Sequence, residues 1–120
     1  MITTDKRAKP KYKKERAVRR CAFVATAEVF DLRSGTRLSA RTSEIGMGGC
    51  YVDVLNPFPK DVEVQLKILR DQGAFEAKAK VVYSDPKFGM GLAFSKLSPE
   101  QRAVLEGWLV ELVTLLNPTS

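Results

Sequence analysis

Between residues 62 and 81 the chain alternates by residue type: Val62, Val64, Leu66 and Ile68 interleave with Glu63, Gln65 and Lys67, and Phe75, Ala77, Ala79 and Val81 with Glu76, Lys78 and Lys80. Successive side chains leave a strand on opposite faces, so each run predicts a half-buried antiparallel strand. Arg70-Asp71-Gln72-Gly73 joins the two as a hairpin loop. Upstream, the runs Cys21–Leu32, Thr36–Thr42 and Cys50–Leu55 have strand length. They are bounded by Arg33-Ser34-Gly35, by a Gly-rich stretch, and by Asn56-Pro57-Phe58-Pro59, whose prolines cannot donate to a ladder. After a turn at Ser84-Asp85-Pro86-Lys87, the run Phe88-Gly89-Met90-Gly91-Leu92-Ala93-Phe94 sets large apolar residues on one face and only Gly and Ala on the other. Something packs close to that bare face, or the strand bends sharply there.

The period then changes. Ser98, Pro99 and Gln101 read as an N-cap, an N1 proline and a capping-box glutamine, and Val104, Leu105, Trp108, Leu109, Leu112, Val113 and Leu116 follow at helical spacing until Asn117-Pro118. About six strands and one amphipathic helix predict a mainly β fold, a small antiparallel barrel or sandwich with a helix laid against it. The 120 residues suit one domain. Residues 1–15 have almost no apolar content and are expected to form a flexible basic arm; the domain is expected over 16–116, with the barrel at about 21–95 and the helix at about 99–116.

The net charge of +6 changes meaning when divided along the chain. The first twenty residues carry nine Lys/Arg against Asp5 and Glu15, while the rest carry eleven basic and twelve acidic residues. The basicity therefore belongs to the arm, and a slightly acidic body without a row of base-stacking aromatics is not expected to bind nucleic acid. Histidine is absent, which removes the commonest general base and metal ligand. No nucleophile–base pair, carboxylate pair or metal set can be assembled at readable spacing, so the expectation is a protein that is not an enzyme and holds neither metal nor cofactor. Cys21 and Cys50 form no CxxC pair and are assigned to packing as reduced thiols. No run approaches the length of a membrane span and no signal peptide is visible, which predicts a cytoplasmic protein.

Three features stand above a plain β-domain: Arg16, Arg19 and Arg20; the stretch Ser43-Glu44-Ile45-Gly46-Met47-Gly48-Gly49; and the Gly89/Gly91 strand. Taken singly, these are the solvated end of a basic arm, a turn and a tight packing contact. Together the first two point to phosphate, because a guanidinium fork matches phosphate oxygens bidentately and glycines let backbone N–H groups approach a ligand.

The order of these features resembles the PilZ domains, bacterial receptors for cyclic di-GMP. Arg16-Ala17-Val18-Arg19-Arg20 fits their RxxxR motif, and Glu44-Ile45-Gly46-Met47-Gly48-Gly49 sits where they carry [D/N]xSxxG. The resemblance covers roughly residues 15–116 and extends to Cys50-Tyr51-Val52, the Asn-Pro turn, the Gly-Met-Gly-Leu-Ala-Phe strand and the closing helix. It implies a six-stranded antiparallel barrel with a C-terminal helix. It also implies that Arg16 and Arg20, with Arg19 between them, hold the phosphates and guanine faces of cyclic di-GMP, opposite Glu44, Gly46, Gly48 and Gly49. Two positions depart from the pattern: Glu44 keeps a carboxylate on a longer stem, and Gly46 lacks the serine hydroxyl. The function implied is a second-messenger sensor in which ligand orders the arm and an effector protein, or a homodimer of the chain, makes the output. The alternative is a degenerate interaction module of the same fold that binds no nucleotide.

Overall fold

A computed structural model describes residues 20–71 and 73–116. The expected arm at 1–15, together with Arg16 and Arg19, lies outside the described residues. Seven strands and one helix follow in order: β1 (Arg20–Ala22), β2 (Thr26–Asp31), β3 (Arg37–Gly46), β4 (Gly49–Asp53), β5 (Glu63–Arg70), β6 (Gly73–Asp85), β7 (Gly89–Phe94) and α1 (Pro99–Leu116). All the pairings are antiparallel. The sheet runs β3-β2-β5-β6-β7-β4, and β4 pairs again with β3, which closes a six-stranded barrel; β1 is a short extra strand on β3.

The alternation of residues 62–81 is realised in register. Val64, Leu66 and Ile68 of β5 and Phe75, Ala77, Ala79 and Val81 of β6 are buried in the core with Ala27, Val29, Ile45, Cys50, Val52, Met90 and Leu92. Twelve inward side chains of strand residues with no accessible surface form a continuous apolar filling, the main favourable term of folding.

The run Cys21–Leu32 is two strands rather than one. Residues 23–25 leave the ladder, and Thr42, the one buried polar side chain among the described residues, seals the gap: its Oγ1 donates to the Phe23 carbonyl at 2.7 Å and accepts from the Ala25 N–H at 2.9 Å. The interruption frees Phe23 to turn into the core beneath the helix, where it meets Trp108 at 5.7 Å. The Ser84–Lys87 turn also starts later than its sequence predicts, since β6 continues through Asp85 opposite Gly89.

Helix α1 closes the barrel end at which the β5–β6 hairpin turns. Leu105 is fully buried, Trp108 packs on Phe23 and Phe75, and the Arg70 guanidinium sits over both the Phe23 and the Trp108 rings while pairing with Glu111. Ser98 caps the helix by accepting from the Gln101 N–H at 3.1 Å. Gln101 does not complete a capping box; its Oε1 accepts instead from the Glu76 N–H of β6 at 2.7 Å, tying the helix to the barrel. Val113, placed on the apolar stripe by its spacing, is 44% exposed.

Candidate functional site

The Glu44–Gly49 segment is a strand, a turn and a strand, not the Gly-rich loop that its composition predicts. Glu44, Ile45 and Gly46 finish β3, Gly49 begins β4, and only Met47 and Gly48 lie in the turn. The ladder captures this stretch because β1 pairs with one edge of it (Arg20↔Gly46, Cys21↔Ile45, Ala22↔Glu44) and β4 with the other (Glu44↔Tyr51, Ile45↔Cys50). With hydrogen bonds on both sides, extended backbone outweighs the turn preference of glycine.

This pairing sets the candidate residues. Arg20 heads β1 directly opposite Gly46, and its Nη1 lies 3.8 Å from the Glu44 Oε1. The Glu44 side chain is half open to solvent while that of Arg20 is largely covered, so the pair lies at the edge of the barrel's outer face. Gly46 and Gly49 are buried at backbone level, and Gly48 is exposed at the turn. Gly49 is required by packing: a Cβ there would overlap the Leu92 carbonyl oxygen of β7. Of the sequence-predicted set, then, Arg20, Glu44, Gly46, Gly48 and Gly49 come together.

Between Thr42 and Glu44 the β3–β4 register shifts, and a second shift falls between Val81 and Tyr83 in the β6–β7 pair. A bulge of this kind adds one residue and reverses which face the following side chains take. In β3 it leaves Thr42 and Ile45 inside and brings Glu44 out; in β6 it leaves Val81 inside and brings Tyr83 out. The result is one cross-strand row on the outer face, Ala22, Glu44, Tyr51, Gly91 and Tyr83.

The bare face of the 88–94 run is covered here. A Cβ on Gly91 would come within 2.5 Å of the Tyr83 Cζ, and one on Gly89 within 2.8 Å of the Tyr51 Cε2. The two rings therefore lie on β7 from outside, their centroids 6.0 Å apart and their planes 29° from parallel. The Tyr51 hydroxyl donates to Asp85 Oδ2 at 3.0 Å. Burial, then the bond to Asp85 and that carboxylate's charge, raise the Tyr51 phenol well above its ordinary range, so it remains a protonated donor. Tyr51 entered the sequence reading only as part of the Cys50-Tyr51-Val52 resemblance and Tyr83 not at all; the Gly/Ala face was the signal that something would lie over it.

Cys50 is sealed in the core, and burial pushes its thiol up to about 12 against a partial opposing pull from Arg20. Cys21 is half-buried on β1. Among the described residues, no group of His, Cys, Asp or Glu side chains has a metal-holding arrangement.

Residues 13–111 match the family model of the PilZ domain. No curated protein matches the chain. Among solved structures, the isolated PilZ domain of YcgR from Escherichia coli with c-di-GMP superposes with a TM-score of 0.70 at 14% identity, covering 85% of this chain and 94% of that one. Full YcgR with c-di-GMP gives 0.72 at 14% identity, covering 85% of this chain and 47% of the other. The Bacillus subtilis inhibitor of motility gives 0.64 at 18% identity, over 78% and 49%. The chain thus spans about half the length of the last two. No helix among the described residues is long and apolar enough to cross a membrane.

Proposed function

Because the chain belongs to the PilZ domain family, we propose that it is a non-enzymatic cytoplasmic receptor for cyclic di-GMP, the ligand found in the two YcgR structures. The observation that carries this reading is the register of Arg20 opposite Gly46, with Glu44 two residues away and Gly49 across the turn. It sets a guanidinium beside a glycine-rich stretch of backbone and next to a carboxylate. In this reading Arg20, with Arg16 and Arg19 from the preceding segment, grips phosphate oxygens through charge-assisted bonds. Glu44 accepts from guanine N–H donors, and Gly46, Gly48 and Gly49 let ligand approach the backbone. Binding orders the basic segment that precedes β1, and the newly fixed surface is read by an effector protein or by a second copy of the chain.

Calorimetric titration with cyclic di-GMP at physiological salt, with GTP and a linear dinucleotide as controls, tests the proposal. Saturable binding selective for the cyclic ligand is expected, and its stoichiometry separates one ligand from a stacked pair. One observation favours a second reading: Glu44 reaches the Arg20 guanidinium and supplies an internal anion where a ligand phosphate would sit. A domain in which that pairing has replaced the ligand, and which serves as a protein-interaction module, predicts no heat and an unchanged melting temperature.

A further inference from the structure

The cross-strand row that begins at Arg20 reaches a second cation. Arg20 of β1 stands opposite Gly46 of β3, Gly49 of β4 stands opposite Ala93 of β7, and Ala93 stands opposite Lys80 of β6. Gly46 and Gly49 flank the Met47-Gly48 turn of the paired strands β3 and β4, so the row crosses five adjacent strands. Lys80 projects from the outer face, because Ala79 and Val81 on either side of it are buried in the core. Between the two cations, Gly46, Gly49 and Ala93 offer that face nothing larger than a methyl group. We infer that Lys80 is a second anion-binding residue of this face and holds the cyclic di-GMP phosphate that lies farther from Arg20. This inference rests on the cyclic di-GMP reading and adds to it a residue that neither motif contains.

The placement suits a ligand that carries two phosphates. Strand spacings of about 4.8 Å set the Arg20 and Lys80 backbones roughly 19 Å apart along the sheet, and both side chains are long enough to lean inward over the floor between them. A dinucleotide lying across the glycines therefore meets a cation at each end. Lys80 is exposed, and among the described residues no ion pair engages it, although Glu63 of β5 is its direct cross-strand neighbour on the other side. Its ammonium is a point charge that accepts a phosphate from many directions, which complements the fixed fork of the arginine. Lys78, the next outward lysine of β6, stands opposite Gln65 and past the end of β7, so it shares no row with the glycines. Lys80 is thus the lysine that the register brings to the motif turn.

The test titrates cyclic di-GMP into the unmodified protein and into Lys80→Ala, Lys80→Glu, Lys80→Arg and Arg33→Ala. Arg33 is an exposed cation in the turn between β2 and β3, at the opposite end of β3 from Gly46, so its removal changes the net charge equally but away from the row. Lys80→Ala is expected to bind about tenfold more weakly, the scale of one lost charge-assisted bond, and Lys80→Glu more weakly still. Lys80→Arg stays within about threefold of wild type, and Arg33→Ala within about twofold because salt screens a distant charge. Melting temperatures hold throughout, since both positions are exposed. In phosphorus NMR of the saturated complexes, Lys80→Ala displaces a bound phosphate signal, which loss of a base contact alone would leave in place. Wild-type affinity in Lys80→Ala, an equal loss in Arg33→Ala, or unmoved phosphorus signals overturns the assignment of Lys80 and leaves the receptor reading intact. Wild-type protein that takes up no cyclic di-GMP overturns both.

Discussion

Two hairpins of the same barrel obey different rules. In β5–β6 eight consecutive pairs run from Glu63↔Lys80 to Arg70↔Gly73 without a shift, and the inward positions are sealed from water. In β3–β4 four pairs are interrupted by a shift, glycine stands at both sides of the turn, and a charged pair lies on the outer face. The regular hairpin spends its side chains on packing. The irregular one forgoes some of that packing to set backbone, charge and the Tyr51 ring on the barrel's outer face.

Substitutions should separate these roles. The largest effect on stability belongs to the regular hairpin: Ile68→Ala leaves a cavity in a fully buried site and is expected to destabilise by about 2–5 kcal/mol. Chemical denaturation reads that loss directly, and cyclic di-GMP affinity, measured well below the melting temperature, should hardly change. Arg20→Ala reverses the pattern. Losing one or two charge-assisted bonds should weaken cyclic di-GMP about ten- to a hundredfold. Its melting temperature should stay close to that of wild type, because Arg20 heads a short strand at the edge of the sheet and lies outside the apolar core. An Arg20→Ala protein that melts much earlier would make this residue part of the scaffold and erase the contrast.

Gly46→Ser sharpens the comparison from the other side by restoring a hydroxyl at the departed position. A gain of one neutral hydrogen bond, about 0.5–1.5 kcal/mol, predicts cyclic di-GMP affinity up to about tenfold tighter by calorimetry. The smallest effect needs no substitution. Cys50 keeps its proton to about 12 in the folded protein, whereas an unfolded thiol releases it near pH 9.0, so its contribution to stability is complete below that pH and declines above it. A thiol reagent at pH 8 should therefore modify Cys21 in the native protein and reach Cys50 only after denaturant is added.

The same contrast explains what could be read from the residues. Strict alternation at Val64, Leu66, Ile68 and Phe75 through Val81 announces its own strands, because period-2 burial leaves no competing interpretation. The helix declares itself through Ser98 and Pro99. The candidate site was legible as a set of residues, Arg20 with Glu44 to Gly49, through its family resemblance, but not as a shape. Glycine composition predicted a loop where two neighbouring strands enforce a third, and that enforcement is a long-range pairing invisible in local sequence. Tyr51 and Tyr83 were hidden for a related reason: each face assignment depends on a bulge, and a bulge appears only when the partner strand is known. Gln101 shows the limit in miniature, since its side chain serves the Glu76 amide in place of the cap its spacing fits.

Trp108 is the single tryptophan of the chain, and its surroundings turn it into an instrument. Its indole touches Phe23, three residues after Arg20, and faces the guanidinium of Arg70 at the tip of the β5–β6 hairpin. Its emission is therefore a single optical channel shared by the helix, the hairpin and the segment that follows β1. Quenching by the nearby cation should vanish if α1 lifts away, and any rearrangement of β1 must pass through Phe23 before it is seen. One fluorescence trace then reports movement of either the strand or the helix, without a dye attached to the molecule.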